Sequence, residues 1–542
     1  MILKLKIFVV LFCFCNFMIV SAQQDTRSQV WVADQGDGTY RNPILYTDYS
    51  DPDVIRVGDD YYMVASSFNC VPALPILHSK DLVNWKLINH ALKRLIPEDI
   101  YSLPQHGKGV WAPSFNYRNG EFYIYYPDPD YGIYMIKTKD PAKEWSYPVL
   151  VLPGKGYIDP ASFWDDDGQA YLAVAWAGSR AGANSLLTLF KMNAEGTKVI
   201  DEGKHIYDGH DQDHTVEGPK FLKRNGYYYI MPPAGGVTFG WQLALRSKNI
   251  YGPYERKIVM AQGSTAINGP HQGTLIQTQT GEYWFLHFQD KGVYGRIFHL
   301  QPVQWKNDWP VIGTDKDRKG EPVLSYKKPN VGKDFPIETP VESDEFNSDT
   351  LGLQWQWHAN PKLQWSALMR GSGFLRLFAY PSDTGKNLWN VPNLLLQKFP
   401  APDFTATAKI KWTIEWDVWQ KKKAGLLVMG NDYAYLSISK NEKGFWVSQV
   451  SCKDAFQNTD EVINEQQPIK DSVVYVRVAV SAPDALCRFS YSEDGKNFKT
   501  IGQPFSAKPD LWIGAKVGLF STAVLGIRYG GYADFDWFRI TK

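Results

Sequence analysis

Asp51-Pro-Asp-Val-Ile-Arg-Val-Gly58-Asp-Asp-Tyr61 sets a plan that the chain repeats. A special head residue comes first, then a short apolar stretch, a turn with Gly, and an aromatic three residues past that Gly. The plan returns in Trp111-Ala-Pro-Ser-Phe-Asn-Tyr-Arg-Asn-Gly120-Glu-Phe-Tyr123 and in Asp159-Pro-Ala-Ser-Phe-Trp-Asp-Asp-Asp-Gly168-Gln-Ala-Tyr171. It returns again in Glu217-Gly-Pro-Lys-Phe-Leu-Lys-Arg-Asn-Gly226-Tyr-Tyr-Tyr229 and in His271-Gln-Gly-Thr-Leu-Ile-Gln-Thr-Gln-Thr-Gly281-Glu-Tyr-Trp284. Each copy reads as strand, tight turn, aromatic strand, which is a hairpin signature. Heads 48 to 60 residues apart match the length of a four-stranded propeller blade. Five copies predict a five-bladed β-propeller over 41–313.

In a propeller the first strand of each blade lines the central channel, so the heads Asp51, Trp111, Asp159, Glu217 and His271 should converge at one mouth of it. Three carboxylic acids, an indole and an imidazole on a common axis are hard to explain as packing. Two other polar runs carry less. His210-Asp-Gln-Asp-His214 lacks the Glu and the amphipathic helix of a zinc-protease motif, and reads as a polar loop. Asp165-Asp166-Asp167-Gly168 lacks the alternating acids of a calcium loop and reads as a hairpin turn.

Residues 314–340, rich in Lys, Pro, Gly and Asp, read as a linker. From 341 to 542 closely spaced strands such as Thr405-Ala-Thr-Ala-Lys-Ile-Lys-Trp412 predict a β-sandwich, so the chain as a whole is all-β. Acids near its two ends, Glu345 and Asp536 among them, would meet if the terminal strands pair, and would then hold a Ca²⁺. Solvated acids are the competing reading.

The composition fits this plan and excludes others. Of 542 residues 44% are apolar and 21% charged, which rules out wholesale disorder and rod-like folds. Lys+Arg 58 against Asp+Glu 57 gives no electrostatic basis for binding nucleic acid. The 20 Trp, 31 Tyr and 28 Phe suit strands and also stack on sugar faces. A basic start with Lys4 and Lys6, an apolar run from Ile7 to Val20 and then Ser21-Ala22 predict a signal peptide over 1–22. The protein is therefore expected to be exported, periplasmic or extracellular, with 23–40 as an N-terminal extension. Nothing later reaches the roughly 18 apolar residues of a membrane span. Outside the leader lie Cys70, Cys452 and Cys487, which allow either one disulfide, Cys452–Cys487, or free thiols.

The heads and their settings also resemble glycoside hydrolase family 43. The resemblance rests on Ser50-Asp-Pro-Asp53 followed by Val57-Gly-Asp-Asp-Tyr-Tyr62, on His78-Ser-Lys-Asp-Leu-Val-Asn-Trp85, and on Val110-Trp-Ala-Pro113. Ile158-Asp-Pro160, Glu217-Gly-Pro219, His271-Gln-Gly273 and Gly295-Arg296 complete it. Asp344-Glu-Phe346, Leu353-Gln-Trp-Gln-Trp357 and Asp534-Phe-Asp-Trp-Phe538 look like the concanavalin A-like jelly roll appended to the family's exo-acting β-xylosidases and α-L-arabinofuranosidases. The resemblance implies Asp51 as general base, Glu217 as general acid, and Asp159 as the residue that tunes and orients the acid. It further implies that Arg296 bonds sugar hydroxyls and positions Asp159, that Phe68 and Trp111 wall the pocket, and that His271 ligates an axial Ca²⁺ or its water shell. No cofactor is required for the chemistry, and any Ca²⁺ would be structural. The expected substrate is a xylose- or arabinose-containing oligo- or polysaccharide, cut from its end with inversion; endo-acting arabinan hydrolysis and sugar binding without catalysis are the alternatives. The stretch Phe68–Pro75 is expected to shape the leaving-group side.

Overall fold

The computed structural model describes residues 27–317, 319–368, 371–381, 386–413, 422–523 and 530–542. The proposed leader lies outside them. Among the described residues, five antiparallel sheets follow one another along the chain. Blade 1 is built from Asp53–Val57, Asp60–Val64, Ala73–Ser79 and Trp85–Leu92. Blade 2 runs from Ser114–Arg118 to Val149–Pro153, and blade 3 from Tyr157–Trp164 to Lys204–Asp208. Blade 4 runs from Phe221–Arg224 to Glu255–Ala261, with the short Pro233–Ala234 as an extra strand; blade 5 runs from His271–Gln277 to Trp309–Ile312. The Asn-Gly turns behave as their composition demands. Asn119 and Gly120 have φ of 51° and 81°, and Asn225 and Gly226 have 51° and 70°. Two consecutive left-handed residues match the twist of a two-residue hairpin, and Asn and Gly are the residues that tolerate it.

An ion pair not anticipated from the sequence ties the blades together around the axis. The buried Asp53 carboxylate accepts bonds from Phe115 N of blade 2 (2.7 Å) and Thr274 Oγ1 of blade 5 (2.5 Å). It also pairs at 3.0 Å with the buried Lys220 ammonium, which in turn donates to the Pro113 carbonyl. Such a charge in the interior is tolerable because each carboxylate oxygen has a donor and the opposite charge lies beside it.

The C-terminal part is a sandwich of two eight-stranded sheets. Alternation explains its core: in Val473–Ser481, Val474, Val476, Val478 and Val480 face inward and are buried. The stretch read as an aperiodic linker is ordered. Ser325–Lys327 pairs antiparallel with Thr39–Arg41 of the N-terminal extension, and Lys328 is ion-paired with Asp34.

Of the two readings left open for the cysteines, the structure has the free thiols. Cys452 and Cys487 form no disulfide; both are free thiols, as is Cys70. They sit in different sheets and project into different hydrophobic clusters. The terminal segments of the sandwich do pair, through Asp344 and Phe538, yet the acids do not converge on a cation site. Glu345 forms a two-pronged ion pair with Arg539, and Asp536 pairs with Lys409. Each carboxylate is already neutralised by a basic neighbour on the sheet.

Sandwich and propeller are joined backbone to backbone. Val71 N donates to the Trp357 carbonyl at 3.0 Å, and Trp357 N to the Val71 carbonyl at 2.5 Å. Gly514 N donates to Asp48 at 2.9 Å, and Asn360 bonds Leu95 in both directions.

Candidate active site

The five heads stand at or just before the innermost strand of each blade, and all five line one pocket. Asp51, Phe68, Trp111, Asp159, Glu217, His271, Gln272, Arg296 and Trp512 surround about 470 Å³ of empty space. Asp51 and Asp159 hold the same unusual backbone, each with φ of 52° and each before a proline. Asp tolerates this left-handed region better than most residues, and such strain concentrates at functional sites. The repeated Asp-Pro thus turns two carboxylates out of their strands toward the axis.

The three acids keep different company. Asp51 accepts bonds from Arg296 Nη1 at 2.7 Å, from Ser50 Oγ at 3.1 Å and from the Ser66 hydroxyl. All its partners are donors, one of them a full positive charge, which is the setting an ionised carboxylate requires. Asp159 is buried and accepts from Gly218 N at 2.8 Å and Gln272 Nε2 at 2.9 Å. Burial first, and the Asp51 charge second, push its carboxyl above the usual range. Glu217 is pushed up as well, by desolvation and then by the neighbouring Asp159, against the pull of Arg296. Its carboxyl lies 3.3 Å from His271 Nε2 and remains 29% exposed to the pocket. The geometry therefore pairs a clamped, donor-rich carboxylate with a loosely held carboxyl that favours its proton.

Arg296 departs from expectation. It does not position Asp159: Nη1 holds Asp51 and Ser50 (2.9 Å), while its backbone N donates to Asp48. The reason is topological, since Arg296 begins the third strand of blade 5, which closes onto blade 1. Asp159 is instead held by Gln272, beside the fifth head. His271 is buried, and burial together with Arg296 lowers its pKa to about 3, so the ring is neutral. Beyond Glu217, no second acid or histidine among the described residues shares it as a metal-ligand group. A Ca²⁺ prefers six to eight oxygens; His271 and Glu217 would supply only a small part of that shell, and water would have to complete it.

Trp512 was not legible beforehand. It comes from the sandwich, at φ 70°, and packs edge-on against Trp111 with ring centroids 5.9 Å apart. Its ring also lies 6.0 Å from the Arg296 guanidinium. One wall of a propeller pocket is thus supplied by the other domain. The Phe68–Pro75 stretch is largely taken up by that junction: Asn69 donates to the His358 carbonyl and Cys70 receives the Lys516 ammonium at 2.6 Å. Only Phe68 of that stretch reaches the pocket. His210 and Asp213 do not form a metal site: Asp213 is buried against Arg256, and His210 bonds Asp208.

If Trp512 supplies sugar-stacking surface, Trp512→Ala removes roughly 0.5–1.5 kcal/mol, or about 2- to 12-fold in affinity. The expected result is a KM raised by that factor for a pentoside, with kcat nearly unchanged, in steady-state assays.

A five-bladed propeller that gathers three acids, an arginine and aromatic walls in one pocket defines a glycoside hydrolase. Residues 40–310 match the family of glycosyl hydrolases family 43, and residues 343–541 match the beta xylosidase C-terminal concanavalin A-like domain. A beta-xylosidase of Formosa agariphila is 33% identical over 558 residues, covering 93% of this chain and 90% of that protein. A non-reducing end alpha-L-arabinofuranosidase of Bacteroides ovatus is 31% identical over 92% of this chain and 94% of its own. The crystal structure of xylan beta-1,4-xylosidase from Bacillus halodurans superposes with a TM-score of 0.81 at 26% identity, covering 93% of this chain and all of that one. The chain belongs to glycosyl hydrolases family 43 and is a glycosidase.

Proposed function

We propose that the protein is an exo-acting, inverting hydrolase that releases a terminal β-D-xylose or α-L-arabinofuranose from hemicellulose-derived chains. The observation that carries this reading is the contrast between Asp51 and Glu217 within one pocket. A glycosidic bond breaks when the departing oxygen receives a proton and the anomeric carbon receives an oxygen nucleophile. Glu217, disposed to keep its proton, acts as the general acid. Asp51, held by Arg296, Ser50 and Ser66, accepts a proton from the attacking water. Asp51 and Glu217 come from the first and fourth of five blades and line one pocket, a placement we take to leave the roughly 6.5–9.5 Å that admits a water and inverts the anomer. Asp159 keeps Glu217 protonated by like-charge repulsion and, through Gly218 N, fixes the backbone beside it.

The choice of a terminal pentose draws on the relatives' names. Export follows from the Lys4–Ala22 leader pattern; among the described residues no helix is long and apolar enough to cross a membrane.

Initial rates on nitrophenyl β-D-xyloside and α-L-arabinofuranoside, with products of xylo- and arabino-oligosaccharides resolved by chromatography, test the assignment. Monosaccharide as the first product is expected, and larger fragments from the outset contradict it. The acid's tuning has its own test in the pH profile. Because Glu217 must be protonated, activity falls as pH rises through its pKa. Asp159→Asn removes a repelling charge, so the alkaline limb of kcat/KM should move to lower pH by about one unit. An unmoved limb contradicts the role given to Asp159.

A further inference from the structure

Three side chains outside the pocket meet where the two domains touch. His106 comes from the propeller segment between blades 1 and 2; His358 and Asp510 come from the sandwich. One ligating atom from each lies within 4.8 Å of the other two. His106 Nε2 is 3.0 Å from the Trp389 carbonyl, and His358 Nδ1 is 3.2 Å from the Val391 carbonyl. A carbonyl only accepts, so each of these nitrogens carries the proton, and in a neutral ring the other nitrogen bears a lone pair. The lone pair of His106, on Nδ1, stands 2.7 Å from Asp510 Oδ2. Two acceptors at that distance require a cation between them.

A proton on His106 would answer that pair alone and would leave the buried His358 ring out of the arrangement. A metal ion answers all three groups. Histidines that donate their distal N–H to backbone carbonyls are also oriented as metal-bound histidines are, with tautomer and ring angle fixed. The rings are further locked, His106 stacked on Trp389 at 3.5 Å and edge-on to His358 at 4.7 Å. Asp510 Oδ1 is occupied by Leu511 N at 2.6 Å, which presents Oδ2 to the histidines.

We propose that His106, His358 and Asp510 bind one divalent transition cation of the Zn²⁺ class, which ties the propeller to the sandwich beside the pocket. Two imidazoles and a carboxylate suit such an ion better than the oxygen-seeking Ca²⁺ or Mg²⁺, with water completing the shell. Asp510 lies two residues before Trp512, so the ion would anchor the segment that walls the pocket. The site stands apart from the three acids and from hydrolysis itself.

The test uses the full-length enzyme stripped with a chelator and re-equilibrated with buffered Co²⁺ or Zn²⁺. The site predicts one tightly held equivalent, visible d–d absorption with Co²⁺, and a higher Tm for the loaded protein. His358→Gln should lose that equivalent and the bands while keeping its circular dichroism; Asp510→Asn gives a second reading should His358→Gln fail to fold. Absence of the bands in the wild type, or an unchanged stoichiometry in the folded variant, would overturn the site and leave a proton-bridged His106–Asp510 pair.

Discussion

Asp51→Asn is expected to lower kcat/KM by about 10³-fold or more on every glycoside, whatever its leaving group, within the range for removing a general base. The loss should be insensitive to the leaving group because activation of water is needed however easily the aglycone departs. The substitution is nearly isosteric and preserves an acceptor for Arg296 or Ser66, so the fold should survive. Product inhibition by xylose or arabinose should then persist, since the walls that accept the sugar are untouched. Steady-state rates beside a thermal melt check both halves of this expectation. Residual activity within tenfold of the wild type would remove Asp51 from the reaction.

Glu217→Gln should behave differently, and the difference identifies its role. On xylobiose, whose leaving alkoxide needs a proton, the expected loss is about 10²- to 10⁴-fold. On a dinitrophenyl xyloside, whose phenolate leaves unaided, the loss should be far smaller. The alkaline limb of the pH profile should also vanish, because the group whose raised pKa sets it is gone. A residue that merely shaped the pocket would depress both substrates equally. Comparing the two substrates therefore separates a proton donor from a structural glutamate.

The acids were legible in the sequence because their setting is local. An Asp before Pro, a Gly-containing turn seven to nine residues on and an aromatic beyond it recur at blade spacing, and a repeat converts spacing along the chain into convergence in space. Trp111 follows from the same pattern and lines the pocket with them, as does Phe68, which only the family resemblance implied. What escaped is what depends on contacts between distant segments. Trp512 and the Asp510 that precedes it stand in a short sandwich loop with no repeat to mark them, and His106 meets Asp510 across 404 residues. The assignment of Arg296 to Asp159 failed for a related reason. Which carboxylate an arginine reaches depends on how the last blade closes on the first, and the order of blades along the chain does not specify that contact. Glu345 and Asp536 were rightly placed near paired termini, but the registers that set Arg539 and Lys409 beside them lie in neighbouring strands.

The domain junction brings the sandwich up to the wall of the pocket. Gly514 N on Asp48, whose other oxygen takes Arg296 N, links the Trp512 loop to the strand whose Arg296 holds Asp51. The wall and the base are thereby positioned through one carboxylate. Asp48→Ala should loosen both, and its expected signature is a lower Tm together with a raised KM.

Proton NMR of the sugar released in the first turnovers on a β-xyloside, recorded before mutarotation, tests the arrangement of Asp51 and Glu217 most directly. Water attacking from the Asp51 side while Glu217 protonates the opposite face predicts α-xylose as the initial product. Initial release of β-xylose would mean a covalent glycosyl intermediate and two closely set carboxyls, and would contradict the roles assigned to both residues.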